Sequence, residues 1–137
     1  MKERFALALD LGGTNIKASA YSTRRGVLVH QKIPTLVHLG PAAVLKRMAA
    51  LALTVRALSD LPLRAYSALG VGSPGPLDPK RGVVLKTPNL KGWRNVPVAA
   101  TLRRLTGLPT RVENDARAAA WGEYVRGAGR GCKDMAL

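Results

Sequence analysis

Apolar and polar residues alternate with a period of two over RFALALD, residues 4–10. Phe5, Leu7 and Leu9 fall on one face and Ala6, Ala8 and Asp10 on the other. This period predicts a strand with a small-residue face. GGT interrupts the run, and alternation resumes over 15–21, with Ile16, Ala18 and Ala20 opposite Lys17, Ser19 and Tyr21. Two glycines between two such runs predict a hairpin. After a turn at Thr23 to Gly26, GVLVHQKIPT predicts a third strand and therefore an antiparallel meander.

The period changes at Pro41, which suits the first turn of a helix. Val44, Met48, Leu51, Val55 and Leu58 then recur at helical spacing and predict one apolar stripe of about four turns. DLPLR ends it. RAYSALGVG, residues 64–72, reads as a buried strand that a crossover helix would deliver parallel to the first. GSPGPLDPKRG reads as a loop, VVLKTP as a short strand and NLKGW as a turn. A short helix is predicted over 97–106, stopping at Gly107. TRVEND then reads as a strand entering a helix, ARAAAWGEYVR, followed by a GAGRG loop and the start of a further strand, CKDMAL. The order β-β-β-α-β-α-β-α predicts an α/β layer with a mixed sheet.

At 137 residues, 47% of them apolar, the chain has the size of roughly one domain and enough apolar material for a core. No stretch reaches the roughly 18 apolar residues of a membrane span, and one cysteine excludes an internal disulfide framework. Cytoplasmic residence is the expectation. Charge changes the picture more: 22 Lys plus Arg stand against 8 Asp plus Glu, a formal net charge of +14. Such a chain attracts polyanions. Its cations nevertheless occur as pairs rather than runs, and aromatics are only 4%, so base-stacking platforms are scarce and nucleic acid is not the expected partner.

Three segments carry candidate chemistry. In DLGGTNIK, residues 10–17, glycines let the backbone approach a ligand, and successive N–H groups there can form an anion nest. Thr14, Asn15 and Lys17 add donors and charge, and Asp10 is placed to hold Mg²⁺ through water. A plain hairpin with a solvent-facing Asp is the alternative. SPGPLD, residues 73–78, is either a stiffened loop presenting polar backbone to a ligand or an ordinary connection. In VENDARAAAWGEY, the acids and Asn114 lie where a strand meets a helix, the place where open α/β sheets collect ligands. There Asp115 can accept a hydroxyl proton with Asn114 orienting that hydroxyl, or either residue can simply cap the helix. His30 and His38 read as surface or packing residues, Trp93 and Trp121 as core or interface anchors, and Cys132 as a small buried residue.

Taken together, DLGGTNIKAS at 10–19, GVGSPGPLD at 70–78, TPNLKGW at 87–93 and VENDARAAAWGEY at 112–124 resemble the amino-terminal lobe of a ROK-family sugar kinase of the bacterial glucokinase type. The resemblance covers nearly the whole chain, in family order. It implies the actin-like, ribonuclease-H-like ATPase fold and transfer of the ATP γ-phosphoryl to a hexose 6-hydroxyl with Mg²⁺. It implies Asp115 as the base, Asn114, Asn89 and Gly75 in the sugar pocket, and Gly12, Gly13, Thr14 and Lys17 as the first phosphate loop beside Asp10. It also implies a second lobe, absent over 1–137, so the chain alone is expected to be inactive and to meet either that lobe or another copy of itself. A non-catalytic sugar- or partner-binding lobe is the alternative. The family's repressors carry a DNA-binding segment ahead of the DxGGT hairpin, and nine residues precede Asp10 here.

Overall fold

The computed structural model describes residues 2–119. Three strands, β1 (Phe5–Leu11), β2 (Asn15–Ser22) and β3 (Gly26–Pro34), form the predicted meander. Helix α1 (Pro41–Leu58) crosses over to β4 (Tyr66–Ser73), which pairs parallel with β1. A small antiparallel sheet follows, made of β5 (Leu77–Asp78), β6 (Val83–Lys86) and β7 (Arg94–Pro97). Helix α2 (Val98–Thr106) then leads to β8 (Thr110–Asn114), parallel to β4, and residues 115–119 are helical. The main sheet has the order β3-β2-β1-β4-β8. The helix beyond 119, the GAGRG loop, the CKDMAL strand, Trp121 and Cys132 lie outside the described residues.

The alternation decides which side of this sheet is covered. Leu7, Leu9, Leu11, Ile16, Ala18, Ala20, Leu69, Val71 and Val112 are buried, and α1 meets them with Val44, Leu45, Met48, Leu51, Ala52 and Val55. Each large apolar side chain fully buried here stabilises the fold by about 1.5–3 kcal/mol. Pro41 occupies the first turn of α1, where its missing N–H costs nothing. Gly107 ends α2 in the left-handed conformation, φ 78°, and its N–H donates to the Arg103 carbonyl at 2.8 Å.

Three expectations change. Leu58 is 52% exposed rather than part of the stripe. It is the last residue of α1, and the inward anchor there is Ser59, whose hydroxyl accepts the Tyr66 phenol at 2.6 Å and donates to the Arg56 carbonyl. The apolar face of α1 is also broader than a single stripe, since Leu45, Ala49 and Ala52 are buried too. Finally, the 73–97 region is a second sheet, not a loop with one strand: Leu77 pairs with Val84, and Val84 with Val96. Val84, Leu90, Trp93 and Val96 are buried and join the main core, so Trp93 is a core anchor. His30 is exposed, with Nδ1 3.0 Å from the Ser19 hydroxyl, and His38 is exposed in a 3-10 turn.

Candidate active site

The parallel strands β1, β4 and β8 end side by side. Asp10 is in register with Gly72, and Gly72 with Glu113; one step on, Ser73 faces Asn114. Residue 72 is the hub of this edge. A Cβ placed there would lie 3.6 Å from the Asp115 Cα and 3.9 Å from the Asp10 Oδ1. The two candidate acids, 105 positions apart in sequence, thus flank one glycine with no side chain between them. Both line a cleft of about 730 Å³ together with Gly70, Gly72, Arg111 and Glu113.

The hairpin tip runs through Gly12, Gly13 and Thr14. It is closed by the Gly12 N–H donating to the Asn15 carbonyl at 2.9 Å. Its outer side is clamped by Thr35, which no feature of the sequence pattern had marked. The buried Thr35 hydroxyl donates to the Gly12 carbonyl at 2.7 Å, and its N–H donates to the Thr14 carbonyl at 2.8 Å. The signal was faint: Thr35 directly follows Pro34, which pairs with Asn15 beside the tip. With these carbonyls engaged, the exposed Gly13 and Thr14 amides donate to no protein group among the described residues. Free successive amides at a fixed turn suit an anion.

Lys17 is not at the tip. It lies on β2, opposite Asp10 in the antiparallel register, exposed and without an ion pair among the described residues. Asn89 reaches the tip instead. Its carbonyl oxygen would lie 2.9 Å from a Cβ on Gly13, so the 87–93 turn packs directly on the hairpin. Gly75 does the same for Asn114, whose Nδ2 would lie 3.0 Å from a Cβ there. The Gly75–Pro76 peptide is cis.

Asn114 also caps the following helix, since its Oδ1 accepts the Arg117 N–H at 3.2 Å. That leaves its Nδ2 directed at Gly75. Asp115 is exposed, with Oδ1 accepting the Ala116 N–H at 2.8 Å. Glu113 is turned back on the chain: its Oε1 accepts the Asn114 N–H at 2.8 Å and lies 3.8 Å from Arg117 Nη1. Capping and site residues therefore coincide in this segment, with Asn114 as the cap.

The structure brings Asp10 and Asp115 together at one edge, joins Gly13 to Asn89, and joins Gly75 to Asn114. No cluster of three or more His, Cys, Asp or Glu gathers among the described residues. One or two carboxylates facing an open cleft fit Mg²⁺, which keeps several waters and shares its shell with phosphate oxygens, but not a metal caged entirely by protein.

Known proteins resemble this chain in sequence and in fold. The chain is 38% identical over 125 residues to the glucokinase of Thermotoga maritima, covering 91% of this chain and 38% of that protein. It is 34% identical over 119 residues to the N-acetylmannosamine kinase of Escherichia fergusonii, covering 86% of this chain and 38% of that protein. The ROK family glucokinase from Streptomyces griseus, solved in complex with glucose and AMPPNP, superposes with a TM-score of 0.81 at 35% identity, over 93% of this chain and 38% of that one. The chain thus spans about two fifths of the length of these relatives. The fold is the actin-like ATPase fold of ROK sugar kinases, with the small sheet inserted between β4 and α2. Residues 6–137 match the ROK family profile, and the chain belongs to the ROK family.

Proposed function

We propose that this chain is the amino-terminal lobe of an ATP-dependent hexokinase, with glucose phosphorylated at its 6-hydroxyl, and that a second lobe is needed for turnover. The observation that carries the reading is the meeting of Asp10 and Asp115 across Gly72 at the carboxyl ends of parallel strands. The similar glucokinases and N-acetylmannosamine kinases support a hexose as substrate, and the AMPPNP complex of the Streptomyces griseus enzyme supports ATP as donor. Cytoplasmic residence belongs to the same reading; among the described residues no helix is long and apolar enough to cross a membrane.

In this mechanism Asp115 accepts the proton of the sugar 6-hydroxyl as its oxygen bonds to the γ-phosphorus of ATP. The bond from that phosphorus to the β–γ bridging oxygen breaks, and its electron pair leaves with ADP. Asn114 and Asn89 hold neighbouring sugar hydroxyls, and the Gly75 backbone forms the wall behind Asn114. The Gly13 and Thr14 amides hold phosphate oxygens, with the Lys17 ammonium adding positive charge nearby. Asp10 would hold Mg²⁺ through water, and Mg²⁺ there would supply positive charge to offset that on the phosphates. Such transfers depend on positioning and electrostatics more than on early deprotonation.

A coupled assay of glucose-dependent ADP release tests this on the chain alone and with a second lobe supplied. No turnover alone and turnover when complemented is the expected result. No turnover in either case, with glucose still bound, would make the chain a non-catalytic sugar-binding lobe. In the complemented enzyme, Asp115→Asn should lower turnover by about 10²–10⁴-fold, the usual contribution of a general base, with glucose affinity changed less than about tenfold. Retained turnover would remove Asp115 from the base role.

A further inference from the structure

At the amino end of β8, away from Asp115, a second concavity of about 410 Å³ opens where the turn before β6 meets the start of α2. Pro79, Lys80, Arg81, Gly82, Ala99, Thr110 and Arg111 line it. Three of these seven are cations, and among the described residues no carboxylate lines the concavity. None of the three forms an ion pair among the described residues, where the ion pairs are Arg25–Glu3 and Arg117–Glu113. The first turn of α2 carries no acid to offset them. Arg111 also borders the larger cleft, so the two hollows adjoin along β8.

The turn that carries Lys80 and Arg81 is held from within. The Asp78 Oδ1 accepts the N–H groups of Lys80 at 3.1 Å and Arg81 at 3.2 Å. The Gly82 carbonyl accepts the Ala99 N–H at 3.0 Å. Gly82 has φ +66°, and a Cβ there would fall 2.2 Å from the Ala99 Cβ, so only glycine lets the turn dock this closely on α2. These bonds use backbone groups and the Asp78 carboxylate, leaving the ammonium and both guanidinium groups exposed and without a partner among the described residues. A rigid turn bearing unpaired cations is preorganised for an anion, and guanidinium forks match the oxygens of a phosphate. The volume lies within the range of small-molecule sites.

We propose that this concavity is an anion-binding site for a compact phosphorylated ligand, separate from the Gly12–Thr14 tip and independent of the kinase reading. The recognised chemistry is a phosphate group of two or more negative charges, carried either by a small phosphate monoester or by an inorganic oligophosphate.

Amide-resolved NMR titration of the 137-residue chain tests it, with orthophosphate, tripolyphosphate and glycerol 3-phosphate as probes at 50 and 150 mM salt. Saturable shifts at Lys80, Arg81, Gly82 and Ala99 are expected for at least one probe. Stronger saturation by tripolyphosphate would assign the oligophosphate source, and stronger saturation by glycerol 3-phosphate the monoester. Lys80→Gln combined with Arg81→Gln should weaken that binding at least tenfold, and Arg111→Gln at least threefold. Lys32→Gln, an exposed cation on β3, should change it less than twofold. Shifts confined to Gly12–Thr14, absence of saturation, or equal weakening by Lys32→Gln would overturn the proposal. Displacement of the probes by duplex DNA at comparable phosphate concentration would overturn it too, in favour of a nucleic-acid surface.

Discussion

Replacing Gly13 by alanine puts one methyl group where the hairpin tip meets the 87–93 turn. The new Cβ would lie 2.9 Å from the Asn89 carbonyl oxygen. Carbon–oxygen contacts begin at about 3.3 Å, so the two backbones must separate by roughly 0.4 Å. Neither side yields easily. The Gly12 carbonyl is tied to Thr35, and the 87–93 turn is pinned by the buried Leu90 and Trp93 and by hydrogen bonds from Leu90 to Thr87 and from Trp93 to Leu90. Overpacking of this kind costs about 1–3 kcal/mol. Loss of backbone freedom in the unfolded chain offsets about 0.4–1 kcal/mol of it. Gly70→Ala supplies the reference, because a Cβ there meets nothing within 4 Å and carries the same unfolded-state gain. Urea unfolding should therefore place Gly13→Ala about 1–3 kcal/mol below Gly70→Ala with unchanged m-values, and its melting temperature roughly 3–12 °C lower at this chain length. If the two variants unfold within about 0.5 kcal/mol of each other, the packing of Asn89 on Gly13 is not a rigid contact.

Thr35→Val keeps the shape of the clamp but removes its donor to the Gly12 carbonyl. Stability should fall by about 1–2 kcal/mol, and amide exchange at Gly13 and Thr14 should quicken; unchanged exchange would show that the tip holds itself. Met48→Ala, at a fully buried position, should cost about 2–5 kcal/mol, whereas Leu58→Ala should stay within about 0.5 kcal/mol despite lying on the same helical stripe; comparable losses in urea unfolding would contradict the outward position of Leu58. Hydrogen bonds from Ser22, and then from Arg25, hold the Glu3 carboxyl below the usual glutamate range. A group whose pKa is lowered on folding contributes stability that is fully present above its unfolded value, about 4.3, and is lost as pH falls through the folded value. Wild type should therefore lose melting temperature more steeply than Glu3→Gln as pH falls below about 4.3. Parallel curves would mean that the Ser22–Glu3–Arg25 contact does not couple to folding.

Much of the backbone plan was legible in the chain. Period-two alternation determines which side of β1 and β2 is buried, because successive side chains must point to opposite faces. The change to helical spacing at Pro41 locates α1, and the Gly107 stop locates the end of α2. Two kinds of information were not local. Leu58 satisfies the helical spacing and yet faces solvent, since periodicity reports direction around a helix and not whether a sheet lies beneath its last turn. Strands of two and four residues, such as β5 and β7, are too short to show a period; they exist because Val84 and Val96 find partners and Trp93 finds the core.

The same division holds for the site. Residue types at DLGGTN, SPGP and VEND suggested anion, ligand and proton-accepting chemistry one segment at a time, each with an ordinary turn or cap as a competing account, while the sugar and the part of NLKGW in holding it came only from the family resemblance. Only parallel register put Asp10, Gly72 and Glu113 on one rung and so brought Asp115 beside Asp10. Only close packing made Gly13 and Gly75 seats for Asn89 and Asn114. Lys17 lies on the strand that its alternation predicts, and the hairpin register sets it opposite Asp10. Sequence spacing by itself determined the longer elements of the main sheet and its helices, and the chemical types available to them. Which of those groups share a cleft was decided by strand order and register, because these set the distances between residues far apart in the chain.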